Sequence, residues 1–386
     1  MKKYIKSTLL MLLSICLFTA CSDDNDSNPT LVAPTTFVLN TPAIANSVVD
    51  LAHSSAIVLT CTQPDYGFPA STTYSVAVAT KADMSDAVKL STNSSTARIE
   101  LDAKEIAAAL TNIKVEEGAT EADFPMNIPV YFQAEAVITT TMGTAVETSR
   151  IKSNVVSLNK VDLEFSLPPV LLPENIYLIG KFCEWNWDKC VAMAPVYDTD
   201  DTFWHLVYID ESGIKFNTNK AWDGGEVGFA GITINEASEL GAEIVEGGGN
   251  IASSNPGWYL MIVKVVLDGR DLKYDVTFNR PEVWLMGTVT PGANFDEKEA
   301  GCMFEVPATA DGEFISPAFA HDVSGDGGVR AYVKIEGYDW WKSEFIVGLD
   351  GDKISYRGKG GDQKRVDGKA GQKMYLNFST DTGKIE

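Results

Sequence analysis

The residues of this chain best suited to chemistry are tryptophans that fall in polar, turn-like stretches. Trp185 and Trp187 lie in CEWNWD, Trp222 lies in AWDGG, and Trp340 and Trp341 are adjacent in YDWWK. Rings in such surroundings are expected at the surface. Trp204, Trp258 and Trp284 sit in strand-like alternation and are expected in cores. A lysine precedes two of the surface groups. Lys215 lies seven residues before Trp222, and Lys334 lies six and seven before Trp340 and Trp341. An exposed aromatic ring covers a flat face of C–H groups, while a nearby cation or amide bonds hydroxyls. That combination suits a pyranose, which has an apolar face and a polar edge.

These residues belong to an internal repeat. NIYLIG at 175–180 matches EVWLMG at 282–287, each a strand that ends in Gly before a variable loop. Gly213–Phe216 matches Tyr332–Ile335, which places Lys215 against Lys334. Each copy then has a tryptophan, a Glu (Glu226 or Glu344), a Gly-rich loop (247–250 or 358–362) and a final strand. The spacing implies two tandem β-sandwich domains, at 174–280 and 281–386, rather than a solenoid. The first copy would bind through Trp185, Trp187, Lys215, Trp222 and Asn250. The second would use Lys334, either Trp340 or Trp341, and Phe295, which stands where the first copy has tryptophan.

The elements upstream are also β. TFVLN, AIVLTC, TTYSVAVAT, TARIEL, VYFQAEAVIT and NVVSL are short, β-branched or aromatic, and partly alternating. DAKEIAAAL reads as a helix capped by Asp102. An immunoglobulin-like sandwich over 35–160 is expected, followed by a Pro-rich linker at 161–173. The fold class is therefore all-β.

The net charge is -22 over 386 residues. So acidic a surface is repelled by nucleic acid, anionic lipid and polyanionic glycans, leaving neutral or cationic ligands. Six cysteines, three histidines and no CxxC make a structural zinc site unexpected. No cofactor is implied. Cys183 and Cys190 could form a disulfide in an oxidising compartment, or remain free thiols. No G-x-S-x-G, H-E-x-x-H or P-loop is present, so an enzyme is not expected.

The N-terminus fixes a location. Lys2, Lys3 and Lys6 precede the apolar run LLMLLSICLF, and then come Thr19-Ala20-Cys21 and the acidic SDDND. The apolar run is too short for a span, which needs about 20 residues. The arrangement resembles a bacterial lipoprotein signal at 1–20, with Cys21 lipidated and a flexible tether to residue 34. The run after Cys21 resembles the surface-export tag of Bacteroidetes lipoproteins.

Taken with the repeat, the whole chain resembles the SusE/SusF family of starch-utilisation lipoproteins, and two repeats resemble the SusE type. The resemblance implies non-catalytic binding of starch or maltooligosaccharides at the outer-membrane surface. It also implies a lipid anchor, an outward-facing location and SusC- and SusD-type partners. Two other functions stay open on the residues alone: binding of a different neutral polysaccharide, and a structural or adhesive role with the tryptophans as core.

Overall fold

The computed structural model describes residues 30–325 and 328–386. The signal segment and Cys21 lie outside these residues. The chain divides into two compact units at Pro169 and Val170.

The first unit holds β1 (Val48–Asp50), β2 (Ala56–Thr60), β3 (Thr72–Ala79), β4 (Val88–Ser94), β5 (Arg98–Asp102), α1 (Ala103–Glu116), β6 (Met126–Ile138) and β7 (Ile151–Leu163). A five-stranded sheet of order β1-β7-β6-β3-β4 shares its core with the β2-β5 pair. The alternation read at Tyr74, Val76 and Val78 is the buried face of β3. Asp102 caps α1 by accepting a bond from the Lys104 amide at 2.8 Å. The helix runs six residues past Leu110, because Ile113 continues the buried stripe begun by Ile106 and Leu110. Two local expectations change. TFVLN makes only an isolated bridge, Leu39 to Cys61. The linker starts later than residue 161, because Val161 and Leu163 are buried in β7.

In the second unit, the first repeat contributes β8 (Tyr177–Gly180), β9 (Val191–Ala192), β10 (Ala194–Pro195), β11 (Thr202–Ile209), β12 (Ile214–Asn217), β13 (Ile232–Ile234), β14 (Ile244–Gly247), β15 (Asn250–Ser253), β16 (Gly257–Asp268) and β17 (Asp271–Asn279). They form two sheets, of order β10-β11-β16-β17-β13 and β14-β15-β12-β8-β9. The second repeat contributes β18 (Val283–Met286), β19 (Phe314–Ile315), β20 (Arg330–Val333), β21 (Glu344–Val347), β22 (Ile354–Tyr356), β23 (Met374–Asn377) and β24 (Thr382–Ile385). Its sheets have the order β18-β20-β21-β22 and β19-β23-β24.

The two repeats share a core. Strands β11 and β16 are buried on both faces, so their sequences lose the usual alternation of apolar and polar residues. Phe203, Val207, Tyr259, Met261 and Val263 pack into the first repeat. Trp204, Leu206, Trp258 and Leu260 instead join Val283, Phe314, Phe345 and Phe378 of the second. Trp204 and Trp258 are core residues, as their alternation implied. Trp284 is half-buried against the same cluster. Burying a large apolar side chain contributes roughly 1.5–3 kcal/mol, so these four residues hold the repeats together strongly. A polar contact crosses the same seam: His205 Nε2 lies 3.0 Å from the Phe378 carbonyl.

This seam makes the tandem repeats one cooperative block. Leu260→Ala should destabilise that block by about 2–5 kcal/mol, shifting a single calorimetric transition for both repeats. Two separate repeat transitions, only one of them shifted, would contradict the shared core.

Candidate functional site

The first aromatic cluster is built on the outer face of the β8–β12 pair. Their register sets Ile179 opposite Lys215 and Tyr177 opposite Asn217. After Gly180 the chain makes a tight turn: the Glu184 amide donates to the Lys181 carbonyl, and the Trp185 amide donates to the Gly180 carbonyl, both at 3.0 Å. Glu184 and Trp185 both have φ of 57, a left-handed conformation uncommon for residues with a side chain. Strained backbone of this kind clusters at functional sites. The turn sends Trp187 inward, where it packs on Ile179 and Cys183, and leaves Trp185 half-buried above it.

Trp222 completes the cluster from the loop after β12. It is 55% exposed. Its ring centroid is 6.4 Å from Trp185 with the planes 32° apart, and 5.2 Å from Trp187, edge-on. The turn that presents it is braced from below. Asn217 Nδ2 donates to the Ala221 carbonyl at 3.0 Å and to Asp223 Oδ1 at 2.9 Å. Asn219 and the Gly225 amide also donate to the Asp223 carboxylate. The Asn217 bond, then the Gly225 amide, hold that carboxyl below the ordinary aspartate range.

Lys215 stands half-buried on the strand that leads into the Trp222 loop, on the rim of a groove of about 580 Å³ that includes Gly224, Glu226, Gly249 and Tyr274. Among the described residues its ammonium has no ion pair or hydrogen bond, so its donors are available. Trp187 departs from the ligand-facing role expected of it. It is only 7% exposed and forms the floor, with its indole N–H lacking an acceptor. Asn250 is also engaged elsewhere, since its Nδ2 donates to the Ser212 carbonyl at 2.9 Å and ties β15 to the turn before β12. Cys183 and Cys190 are free thiols rather than a bridge. The Cys183 thiol bonds the Gly180 carbonyl at 3.2 Å and so helps shape the turn.

The second cluster has the same plan with different parts. Phe295, 41% exposed, stacks on half-buried Trp340 at 5.9 Å with planes 20° apart. Tyr332 lies 6.3 Å from Trp340. The Arg330 guanidinium lies 5.2 Å from the Phe295 ring and 5.6 Å from the Trp340 ring. It is also bonded to buried Glu344 at 3.0 Å.

Strand register corrects the sequence match of the two copies. β18 pairs with β20 so that Met286, just before Gly287, faces Arg330. β8 pairs with β12 so that Ile179, just before Gly180, faces Lys215. The structural counterpart of Lys215 is therefore Arg330, not Lys334. Lys334 is a brace: its Nζ donates to Glu297 Oε2 at 2.7 Å and to the Tyr338 carbonyl at 3.1 Å. Glu297 Oε1 accepts the Trp340 amide at 2.7 Å, tying the Phe295 loop to the Trp340 turn. Trp341 packs away from this platform, on Tyr197 of the first repeat, 5.4 Å between centroids. Arg330, Glu297 and Tyr332 were not singled out in the sequence.

The geometry provides two pairs of rings held partly open to water, with the Arg330 guanidinium against the second pair and Lys215 on the strand that leads into the Trp222 loop of the first. Two carboxyls that brace the ring-bearing turns are held ionised. Asp223 sits in its amide frame, and the Lys334 bond and the Trp340 amide keep Glu297 below the ordinary range despite its partial burial. Among the described residues, no group of three or more His, Cys, Asp or Glu side chains is arranged to hold a metal ion.

Comparison with known proteins follows the same division of the chain. A family model described as SusF/SusE starch specific CBMs matches residues 175–275 and again 282–384. A second, described as SusE outer membrane protein, matches residues 23–130. The chain is 37% identical over 240 residues to outer membrane protein SusF of Bacteroides thetaiotaomicron, covering 60% of this chain and 47% of the relative. It thus spans about half the length of that curated relative. The crystal structure of SusF from Bacteroides thetaiotaomicron aligns with 91% of this chain and 99% of that one, at 21% identity and a TM-score of 0.48.

The Asn217–Asp223 frame can be tested directly. Its carboxylate form is complete above about pH 4, the ordinary aspartate value. It should be lost only as pH falls through the lower value in the folded chain. The amide shift of Gly225 should follow that titration, with a midpoint below 4 that Asn217→Ala raises. A midpoint unchanged by Asn217→Ala would contradict the frame.

Proposed function

The chain belongs to the SusF/SusE family, and we propose that it is a non-catalytic protein of the cell surface that captures starch or maltooligosaccharides. The observation that carries this reading is the Trp185–Trp222 pair. Its rings are tilted by 32° and held open by a dedicated frame. Two planes at such an angle can cover successive sugar rings of a curved α-1,4-glucan. Each contact removes C–H surface from water and sets polarised hydrogens against the indole π cloud. Lys215 then offers hydroxyl contacts from below. The Phe295–Trp340 pair, with Arg330, is the second site, and its flatter, phenylalanine-containing face suits weaker binding.

Hydrolysis is the less favoured reading on physical grounds. A glycosidase needs one carboxyl with a raised pKa beside an ionised partner. The carboxyls that brace the two platforms, Asp223 and Glu297, are shifted the other way. Asp381, which burial pushes up, is bonded to Tyr356 near His205 at the seam between repeats.

The family description supports an outer-membrane location, and the N-terminal sequence supports attachment through a lipid on Cys21 with the binding repeats facing outward. SusC- and SusD-type proteins are the uptake partners this reading implies. With two sites on one block, a long glycan held at one site raises its effective concentration at the other.

Trp222→Ala should weaken maltoheptaose binding at the first site by about tenfold to a hundredfold, from burial of one ring face. It should move the unfolding temperature little, because the ring is half in water. Calorimetric titration alongside a melting curve checks both. An unchanged affinity with a large loss of stability would make Trp222 a core residue and favour the structural role. Maltoheptaose turnover at high protein concentration would contradict a purely binding role.

A further inference from the structure

Trp340 and Trp341 are neighbours in one short turn, Trp340–Lys342, yet they serve different contacts. Trp340 carries the second platform. Trp341 is gripped by the first repeat. Tyr197 packs on the Trp341 ring at 63°, and the Tyr197 amide donates to the Lys342 carbonyl at 2.9 Å. Asp198 lies 3.7 Å from the Lys342 ammonium, and Asp200 lies 3.8 Å from Lys359 in the Gly-rich loop. The 195–200 loop of the first repeat thus holds the turn that carries a ring of the second site.

A second route leads from the same tyrosine to the same rings. The Arg357 guanidinium lies against both rings, 4.4 Å from Tyr197 and 5.0 Å from Trp341. Its Nη1 donates to Glu344 Oε2 at 3.2 Å. Glu344 Oε1 in turn accepts from Arg330, the cation beneath Phe295 and Trp340. Glu344 is fully enclosed, and the two arginines each bond one of its oxygens, so a shift of one bears on the other. Removing the Tyr197 ring would leave one face of Arg357 and one face of Trp341 without a neighbour. Both could then shift, and the Trp340 turn with them.

We propose that Tyr197 of the first repeat is a positioning residue for the glycan site of the second repeat. It keeps the Phe295–Trp340 platform preorganised, so that binding need not order it. The inference rests on the glycan reading of that platform. Loss of the brace should appear as lost affinity, because ordering one or two side chains on binding weakens it by several-fold.

The test uses the full chain carrying Trp222→Ala, so that maltoheptaose uptake reports the second site. Tyr197→Ala should lower that affinity about fivefold to tenfold. Tyr197→Phe should restore it, since the ring and the backbone amide make the contacts. In a Trp340→Ala chain, which reports the first site, Tyr197→Ala should leave affinity unchanged. If Tyr197→Ala does not fold, Asp198→Lys carries the test: it reverses an exposed charge facing Lys342 and should lower second-site affinity alone. The proposal is overturned if the Tyr197 and Asp198 variants leave second-site affinity intact while Trp340→Ala removes it. It is also overturned if they weaken both sites equally. A separate result, in which the Trp222→Ala chain takes up no maltoheptaose, would sink the glycan reading of the second site, and the proposal with it.

Discussion

A large aromatic ring gains free energy by leaving water, so a protein that keeps one half in water must hold it there. Everything at the two platforms follows from that constraint. Trp222 rests edge-on against Trp187 with its outer part in water, and the Asn217 and Asp223 bonds fix the turn that holds it there. Trp185 is presented by a tight turn in which two successive residues are left-handed. At the second platform the same task falls to Glu297, which bonds Lys334 and the Trp340 amide together. The rings differ between the copies and so do the braces: the first is a local polar frame, and the second ties two segments distant in sequence.

Beneath the platforms, the sheet formed by β11 and β16 serves two cores at once. This explains why Trp204 and Trp258 are conspicuous in the sequence yet take no part in either site. It also gives the second repeat a wall that its smaller sheets do not supply. The repeats therefore do not act as beads on a string. Two ring pairs on one block have a fixed spacing, which on the proposed reading limits the entropy lost when a glycan engages the second.

Much of this was legible in the residues. The β-rich fold, the alternation of β3, the Asp102 cap and the exposure of Trp222 in AWDGG all follow from local patterns with a direct physical meaning. What escaped has a common cause: it depends on register or on packing between distant segments. The sequence match aligned Lys215 with Lys334 because lysine resembles lysine, whereas the ladders align Lys215 with Arg330. Trp187 and Trp185 look alike in CEWNWD, and only the left-handed turn separates floor from face. Trp341 could be told from Trp340 only once Tyr197 was seen against it. Similarly, Val161 and Leu163 read as linker because Pro168 and Pro169 follow closely, yet β7 extends to include them.

The central claim is that two preformed pairs of rings are glycan platforms. A crystal structure of the full chain with maltoheptaose tests it most directly. The account places sugar rings over Trp185 and Trp222 with hydroxyls near Lys215, and a second oligosaccharide on Phe295 and Trp340 near Arg330. Sugar bound elsewhere, with both ring pairs uncovered, would contradict it.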